Sequence, residues 1–358
     1  MPALALSVVT LAAVTACAGG GGSKTAGPNW SPQPGYTLEP NQQAPLAGGS
    51  ASEAPSTTAT PTPGSTPAPS SGAPSAVDPV VVASNLTAPI GIAVLPDGTA
   101  LVGQRTTGVI VQVQATAGEP VAVVRTIPGI DASGDGGLLD LALSPNYGED
   151  HLIFAYITTA TDNRVVEFTL TGPITPVYVG IPKGVTGNGG RIAFTASGQL
   201  LIGTGDTGQP ALAQNPASLA GKVLEVTDVG QPVTPGAPVL AQGFHSISGL
   251  CVDPDTGAIF ETEPAAAATA GTAATGDEIN LITKGADYGW PAAAANGVAA
   301  IATLPATATG VAATASGCTV TGGALYVTSL AGGALYAGTI TAGTGAAGTS
   351  VTIGTMTP

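Results

Sequence analysis

The sequence predicts an all-β fold, a β-propeller, and three observations predict it. Glycine and proline are abundant, 52 and 31 of 358 residues, which disfavours helix. No long stretch holds an apolar period of 3.6 residues. A strand–turn–strand unit recurs instead: GIAVLPDGTALVGQ from Gly91, LLDLALSPNYGEDHLIFAYI from Leu138, RIAFTASGQLLIGTGD from Arg191 and GLCVDPDTGAIFETE from Gly249. Their starts lie 47 to 58 residues apart, close to the period of propeller blades. A weaker copy, GGALYVTSLAGGALYAGTI, begins at Gly322. A β-sandwich would not need a unit of such regular length.

The chain opens on residues 1–16, almost wholly small and apolar and ending Val14-Thr15-Ala16 before Cys17. The run is too short to span a bilayer, which takes about 20 apolar residues. It reads as a lipoprotein signal peptide, with Cys17 as the lipidated residue, although no Lys or Arg precedes Lys24. Residues 17–78 are Gly, Ser, Thr, Pro and Ala with hardly any apolar bulk. Such a stretch cannot offset its ordering entropy and reads as a disordered tether. Residues 79–358 form the propeller, and the acidity belongs there: 19 acidic against 7 basic residues, a net of −12 out of −14 for the chain.

Within that domain Asp97-Gly98 and Ser197-Gly198 suit tight hairpin turns, where glycine supplies a positive φ. The Ala-rich segments 264–275 and 292–316 are interrupted by Thr and Gly and read as loops or edge strands. Tyr288, Trp290 and Pro291 offer bulk to seal a blade interface, or an aromatic face for a ligand.

Composition excludes some functions. The chain has no basic footprint for nucleic acid or for anionic headgroups, so its membrane contact is expected through the lipid anchor alone. Two isolated histidines, His151 and His245, and three widely spaced cysteines rule out a His- or Cys-rich metal site.

Several blocks, in order, resemble the glucose/sorbosone dehydrogenase family: LTAPIGIAVLPDGTALVGQR from Leu86, GGLLDLALSP from Gly136, NGGRIAFTASGQLLIGTGDTG from Asn188, SLAGKVLEV from Ser218 and GDEINLITKGADYGWP from Gly276. The acidic, tethered form is similar to envelope lipoproteins of that family. The resemblance implies a six-bladed propeller that oxidises aldoses with pyrroloquinoline quinone (PQQ), using a His as proton acceptor. That position falls on Gly187, which has no side chain to accept a proton. The acid that would orient the His falls on Thr186. PQQ carries three carboxylates and calls for fixed cationic donors. Yet Gln209 stands where the family has Arg, Ser329-Leu330 is followed by Ala331, Gly332 and Gly333 instead of basic residues, and only Lys222 and Lys284 follow Arg191.

The polar residues that match are Asn188, Arg191, Asp206 and Gln209, expected at the ligand channel, with Asp277 and Glu278. Asp206 and the Asp277-Glu278 pair offer carboxylate oxygens to Ca²⁺, or cap turns. His245, in GFHSISG, is either a relocated functional His or a hydrogen-bonded core residue. Cys251 and Cys318 either pair across 67 residues, as an exported compartment permits, or stay buried thiols. The expectation is an extracytoplasmic, lipid-anchored protein that binds or scaffolds without catalysis and without a cofactor. Its partner would be a small molecule such as a carbohydrate, or an envelope protein. The alternative is a PQQ- and Ca²⁺-dependent aldose dehydrogenase.

Overall fold

The computed structural model describes residues 81–266, 276–292, 298, 300–304, 314–331, 333–345 and 348–354. The expected signal, tether and Cys17 lie outside the described residues, as do 267–275, 293–297 and 305–313 of the Ala-rich segments.

Among the described residues twenty strands form five four-stranded antiparallel meanders. Blade one holds β1 (Pro89–Val94), β2 (Ala100–Gln104), β3 (Val109–Val113) and β4 (Ala122–Thr126). Blade two holds β5 (Leu138–Leu143), β6 (Ile153–Thr158), β7 (Asn163–Phe168) and β8 (Thr175–Ile181). Blade three holds β9 (Gly189–Phe194), β10 (Leu200–Thr204), β11 (Lys222–Val226) and β12 (Val239–Gln242). Blade four holds β13 (Gly249–Val252), β14 (Ile259–Glu263), β15 (Glu278–Leu281) and β16 (Ala302–Thr303). Blade five holds β17 (Ala315–Thr321), β18 (Ala324–Ser329), β19 (Ala334–Gly345) and β20 (Gly348–Ile353). The only α-helix among the described residues is one turn, Tyr147–Asp150.

The first strand of each blade is innermost, and neighbours pack β1 on β5, β5 on β9, β9 on β13 and β13 on β17. Apolar side chains alternate along these strands and fill the seams between blades. Leu139, Phe154 and Tyr156 meet Ile192, Leu200 and Ile202 between blades two and three. Phe244, Leu250 and Tyr288 fill the seam between three and four. Burying each such side chain contributes about 1.5–3 kcal/mol. The inner strands approach closely: Gly91 has φ +67°, and a Cβ there would lie 2.8 Å from Asp140 Cα. Between blades four and five, Cys251 and Cys318 form a disulfide with Cα atoms 5.8 Å apart.

The four strong sequence repeats coincide with the first hairpins of blades one to four. The turns behave as their residues dictate: Gly98 and Gly198 sit at φ +85° and +84°. One expectation needs correction. The weak copy from Gly322 falls on the second hairpin of blade five, β18–β19, because β17 carries Gly317, Cys318 and Thr319 where apolar residues set the pattern elsewhere. The described residues build five blades, which leaves the expected sixth outside them. Among them no comparable packing joins β17 back to β1, and Ile92, Val94 and Val123 of blade one are exposed.

Candidate functional site

Loops from four elements converge at one end of blade three. Residues 184–188 enter β9, 205–209 leave β10, 243–248 lead into β13, and 287–290 follow β15. Backbone bonds lock them: Asp206 N–H donates to His245 O (2.8 Å), Thr207 N–H to Gly187 O (2.8 Å) and Trp290 N–H to Gly243 O (3.1 Å). Trp290 Nε1 donates to Asp206 Oδ2 (2.8 Å), while Asp206 Oδ1 accepts from Gly208 N–H (2.8 Å). The His245 ring lies tilted on Trp290, centroids 4.7 Å apart. Its Nδ1 is buried with no partner among the described residues. Burial lowers the His245 pKa, and the Asp206 carboxylate opposes that only in part. The imidazole is therefore neutral at physiological pH, able to accept a proton or a hydrogen bond.

Gly187 stands at φ +67° with its N–H on Asp135 Oδ2 (2.6 Å). A Cβ there would meet Asp206 Oδ1 at 2.7 Å and the Thr207 and Gly208 nitrogens at 3.1 Å. Backbone conformation and space both select glycine.

The same sequence and this architecture recur in known proteins. The glucose/sorbosone dehydrogenase profile matches residues 86–339. The chain belongs to the glucose/sorbosone dehydrogenase family. It is 29% identical over 235 residues to the aldose sugar dehydrogenase YliI of Escherichia coli K12, covering 60% of this chain and 61% of that protein. A Synechocystis protein is 31% identical over 249 residues, covering 59% of this chain and 58% of that protein. The chain thus spans about three-fifths of the length of the curated relatives it matches. The PQQ-bound aldose sugar dehydrogenase of Streptomyces coelicolor superposes with a TM-score of 0.66 at 35% identity, covering 77% of this chain and 84% of that one. The fold also matches apo aldose sugar dehydrogenase of E. coli, TM-score 0.66 at 22% identity, over 78% and 89% of the two chains.

Against that family background, most of the matched polar residues are engaged in structure. Asn188 is buried and saturated: Nδ2 donates to Asp135 Oδ1 and to Gly184 O (2.9 Å), and Oδ1 accepts from Asn163 Nδ2 and Gly184 N–H, each at 3.0 Å. Arg191 donates to Leu139 O (3.3 Å) and Ser316 O (2.7 Å), linking blade three to blades two and five past blade four. It also pairs with Asp140 at 3.6 Å. Burial still raises the Asp140 pKa, because Arg191 offsets desolvation incompletely. Asp206 joins His245 and Trp290. Gln209 is exposed beside them, its Nε2 3.5 Å from Thr207 Oγ1.

Asp277 and Glu278 are not brought together as a cation site. Asp277 Oδ1 accepts from the N–H of Ala265 (2.8 Å) and Ala315 (3.4 Å), and Oδ2 from that of Thr314 (3.0 Å). That is the capping role. Glu278, next in sequence at the start of β15, belongs to the opposite face. Among the described residues no three His, Cys, Asp or Glu are grouped to hold a metal. Tyr288 stacks on Phe244 at 4.8 Å in the seam, and Trp290 packs on Ala213 and Ala266.

Sequence reasoning missed Asp135, Asp140, Glu261 and Glu263. The acids at alternating positions of IFETE were the available signal: two carboxylates on one strand face in a domain whose strands otherwise bury apolar chains.

Proposed function

We propose that the protein is a non-catalytic member of its family, a propeller that binds or scaffolds at the cell envelope. The observation that carries this reading is Gly187. It occupies the position of the family's proton acceptor, and its positive φ and the adjacent Asp206 leave no room for a side chain. The basic residues support it too. Arg105 donates to Gly134 O and Gly136 O, Arg125 to Leu170 O and Gly172 O, and Arg164 pairs with Asp162. Lys183 is paired with Asp131. Buried Lys222 spends its ammonium on the carbonyls of Leu212, Ala213 and Ala220, at 2.8–2.9 Å. Lys284 reaches Thr234 on the surface. A tricarboxylate such as PQQ needs convergent cations, and this set does not converge. The residues do not fit that cofactor, and no catalytic step through it is derived.

Dye-coupled oxidation of aldoses by the full chain, supplied with PQQ and Ca²⁺, tests the reading. No turnover is expected. A carbohydrate-induced rise in melting temperature would point to binding; its absence would favour an envelope-protein partner.

A second reading, a PQQ-dependent aldose dehydrogenase with a shifted base, rests on His245. Its Nδ1, unpartnered among the described residues, lies beside Asp206, whose Oδ1 a Cβ at position 187 would meet. Turnover that His245→Ala abolishes would establish it.

Two further readings complete the proposal. The apolar run before Cys17 supports export and lipid anchoring on the extracytoplasmic face; Cys17→Ala should release the protein from membranes. The open face of blade one, with an apolar groove of about 540 Å³ lined by Val81, Leu86, Pro89 and Ile92, fits a sixth blade. Covered by one, Ile92→Asp would be strongly destabilising; on an open face it would be tolerated.

A further inference from the structure

The face of blade four turned toward blade three carries an unusual set of side chains. In the antiparallel register Glu263 lies directly opposite Glu278, and Glu261 opposite Asn280. Residues two apart on a strand, and residues directly opposite, share one face. The four groups therefore form a block of oxygen-rich side chains within the seam. Glu261 is fully buried and Asn280 nearly so.

The hydrogen bonding is incomplete in a telling way. Asn280 Nδ2 donates to Glu261 Oε2 at 3.0 Å. Glu261 Oε1 and Asn280 Oδ1 are both buried without partners among the described residues. Both are acceptors if Glu261 is ionised, and two orphaned acceptors cost about 1–3 kcal/mol each. A proton on Glu261 Oε1 turns it into a donor for Asn280 Oδ1 and leaves neither orphaned.

Among the described residues no cation is paired with the block. The seam's other charged or titratable groups among the described residues are Arg191 and Glu225 on the strands of blade three, Asp206 and His245 on its loops, Asp277 before β15, and Lys222, Asp287 and Tyr288. Arg191 is committed to Leu139 O, Ser316 O and Asp140. Lys222 is committed to three carbonyls, and Asp277 to backbone N–H groups. Asp287 accepts from Gln214 Nε2 and Gly289 N–H. Tyr288 donates to Leu281 O. The neutral His245 ring faces Trp290. Two carboxylates directly opposite on a strand pair repel if both are ionised.

We propose that this seam is a proton-binding site: Glu261 is held neutral in an acid–amide pair with Asn280, and Glu263 and Glu278 share a proton across the strands. The site touches the loop that carries His245, because Ser246 N–H donates to Glu263 Oε1 at 2.7 Å. Titration of the seam is thereby tied to the loop that carries His245.

The direction of the pKa shifts agrees. Burial raises Glu261 well above the ordinary carboxyl value, with Glu263 adding to it. Burial raises Glu278 and brings Glu263 to about 8. A carboxyl raised on folding stabilises the fold fully below its unfolded pKa, near 4.5. That contribution is lost as pH climbs through the folded value. The window for Glu263 thus runs from about 4.5 to about 8. Asp97 and Asp131, whose partners lower their pKa values, act below that window. His245 acts in the opposite sense, its contribution lost as pH falls.

The test is the melting temperature of the full chain from pH 4.5 to 9, in EDTA, for wild type, Glu261→Gln and Glu263→Gln. Wild type should lose about 5 °C or more over the window. Glu263→Gln should flatten the curve. Glu261→Gln, whose amide reproduces both bonds of the acid–amide pair, should match wild type at pH 5 and exceed it at pH 8. A wild-type curve that is flat or rises with pH overturns the proposal. So does a loss in both Gln variants at every pH. A Ca²⁺-dependent rise in wild type at pH 8 that either Gln variant abolishes would also overturn it, by assigning the carboxylates to a cation instead.

Discussion

The seam between blades two and three and the seam between blades three and four bury polar groups in opposite ways. In the first, Asn188 is saturated by Asp135, Asn163 and Gly184, and Asp140 has Arg191 beside it, although Asn163 Oδ1 is buried without a partner among the described residues. In the second, Glu261, Glu263 and Glu278 are paired with no cation among the described residues, and the buried oxygens Glu261 Oε1 and Asn280 Oδ1 have no partner there. Both flank the same loops. The difference lies in the countercharge: one side of the candidate site sets Arg191 beside its buried carboxylate, while the other, on the proposal above, relies on protons. A low-dielectric interior makes both arrangements consequential: a satisfied network rigidifies, and an unsatisfied one is costly.

The largest effect should come from breaking the seam between blades two and three. Arg191→Met strands Asp140 and removes the strut to Ser316, and should cost about 3–5 kcal/mol, read by urea unfolding. The double change Arg191→Met with Asp140→Leu should recover a substantial part of that loss. If it recovers nothing, the strut to Ser316 matters and the ion pair does not.

Next is the seam between blades four and five, which is held covalently. Cys251→Ser with Cys318→Ser opens a loop of 67 residues and should cost about 2–4 kcal/mol. Equal stability with and without reductant would show that the bridge does not restrain the unfolded chain.

A smaller effect is expected at the junction of the two seams. Gly187→Ala forces a Cβ against Asp206 at positive φ and should cost about 1–3 kcal/mol. Gly187→His should behave likewise and confer no aldose oxidation. An unchanged melting temperature would mean that the loop moves freely, and the steric part of the argument would fall.

The smallest lies far from both. Asp97 Oδ1 accepts from Thr99 N–H (2.9 Å) and Thr99 Oγ1 (2.7 Å) in the first hairpin turn. Asp97→Ala should cost about 1 kcal/mol, measured the same way.

Much of this architecture was legible because it is local. An Asp-Gly or Ser-Gly pair between alternating apolar runs specifies a hairpin within about 15 residues. The first and third repeats are such hairpins; the second turns through the single helical turn Tyr147–Asp150 and the fourth through Asp253–Gly257. Blade five was misread because Gly317 and Thr319 weaken the alternation of β17. At the site, the chemistry of Gly187 was legible from its neighbours, but its positive φ was not. Asp206 could be read as a turn residue through Gly208, two positions away. Its bond to Trp290 spans 84 residues and leaves no local trace. Glu261 and Glu263 announced a charged strand face. Their opposition to Glu278 depended on the register of β15, which returns only after residues 264–277, where no periodicity fixes the pairing.

The central claim is that this propeller lacks the cation clamp its family uses for a tricarboxylate quinone. Equilibrium dialysis of PQQ against the full chain in Ca²⁺ tests it most directly. Retention no greater than that of a serum-protein control is the result predicted. Stoichiometric, saturable binding that survives 0.2 M salt would contradict it.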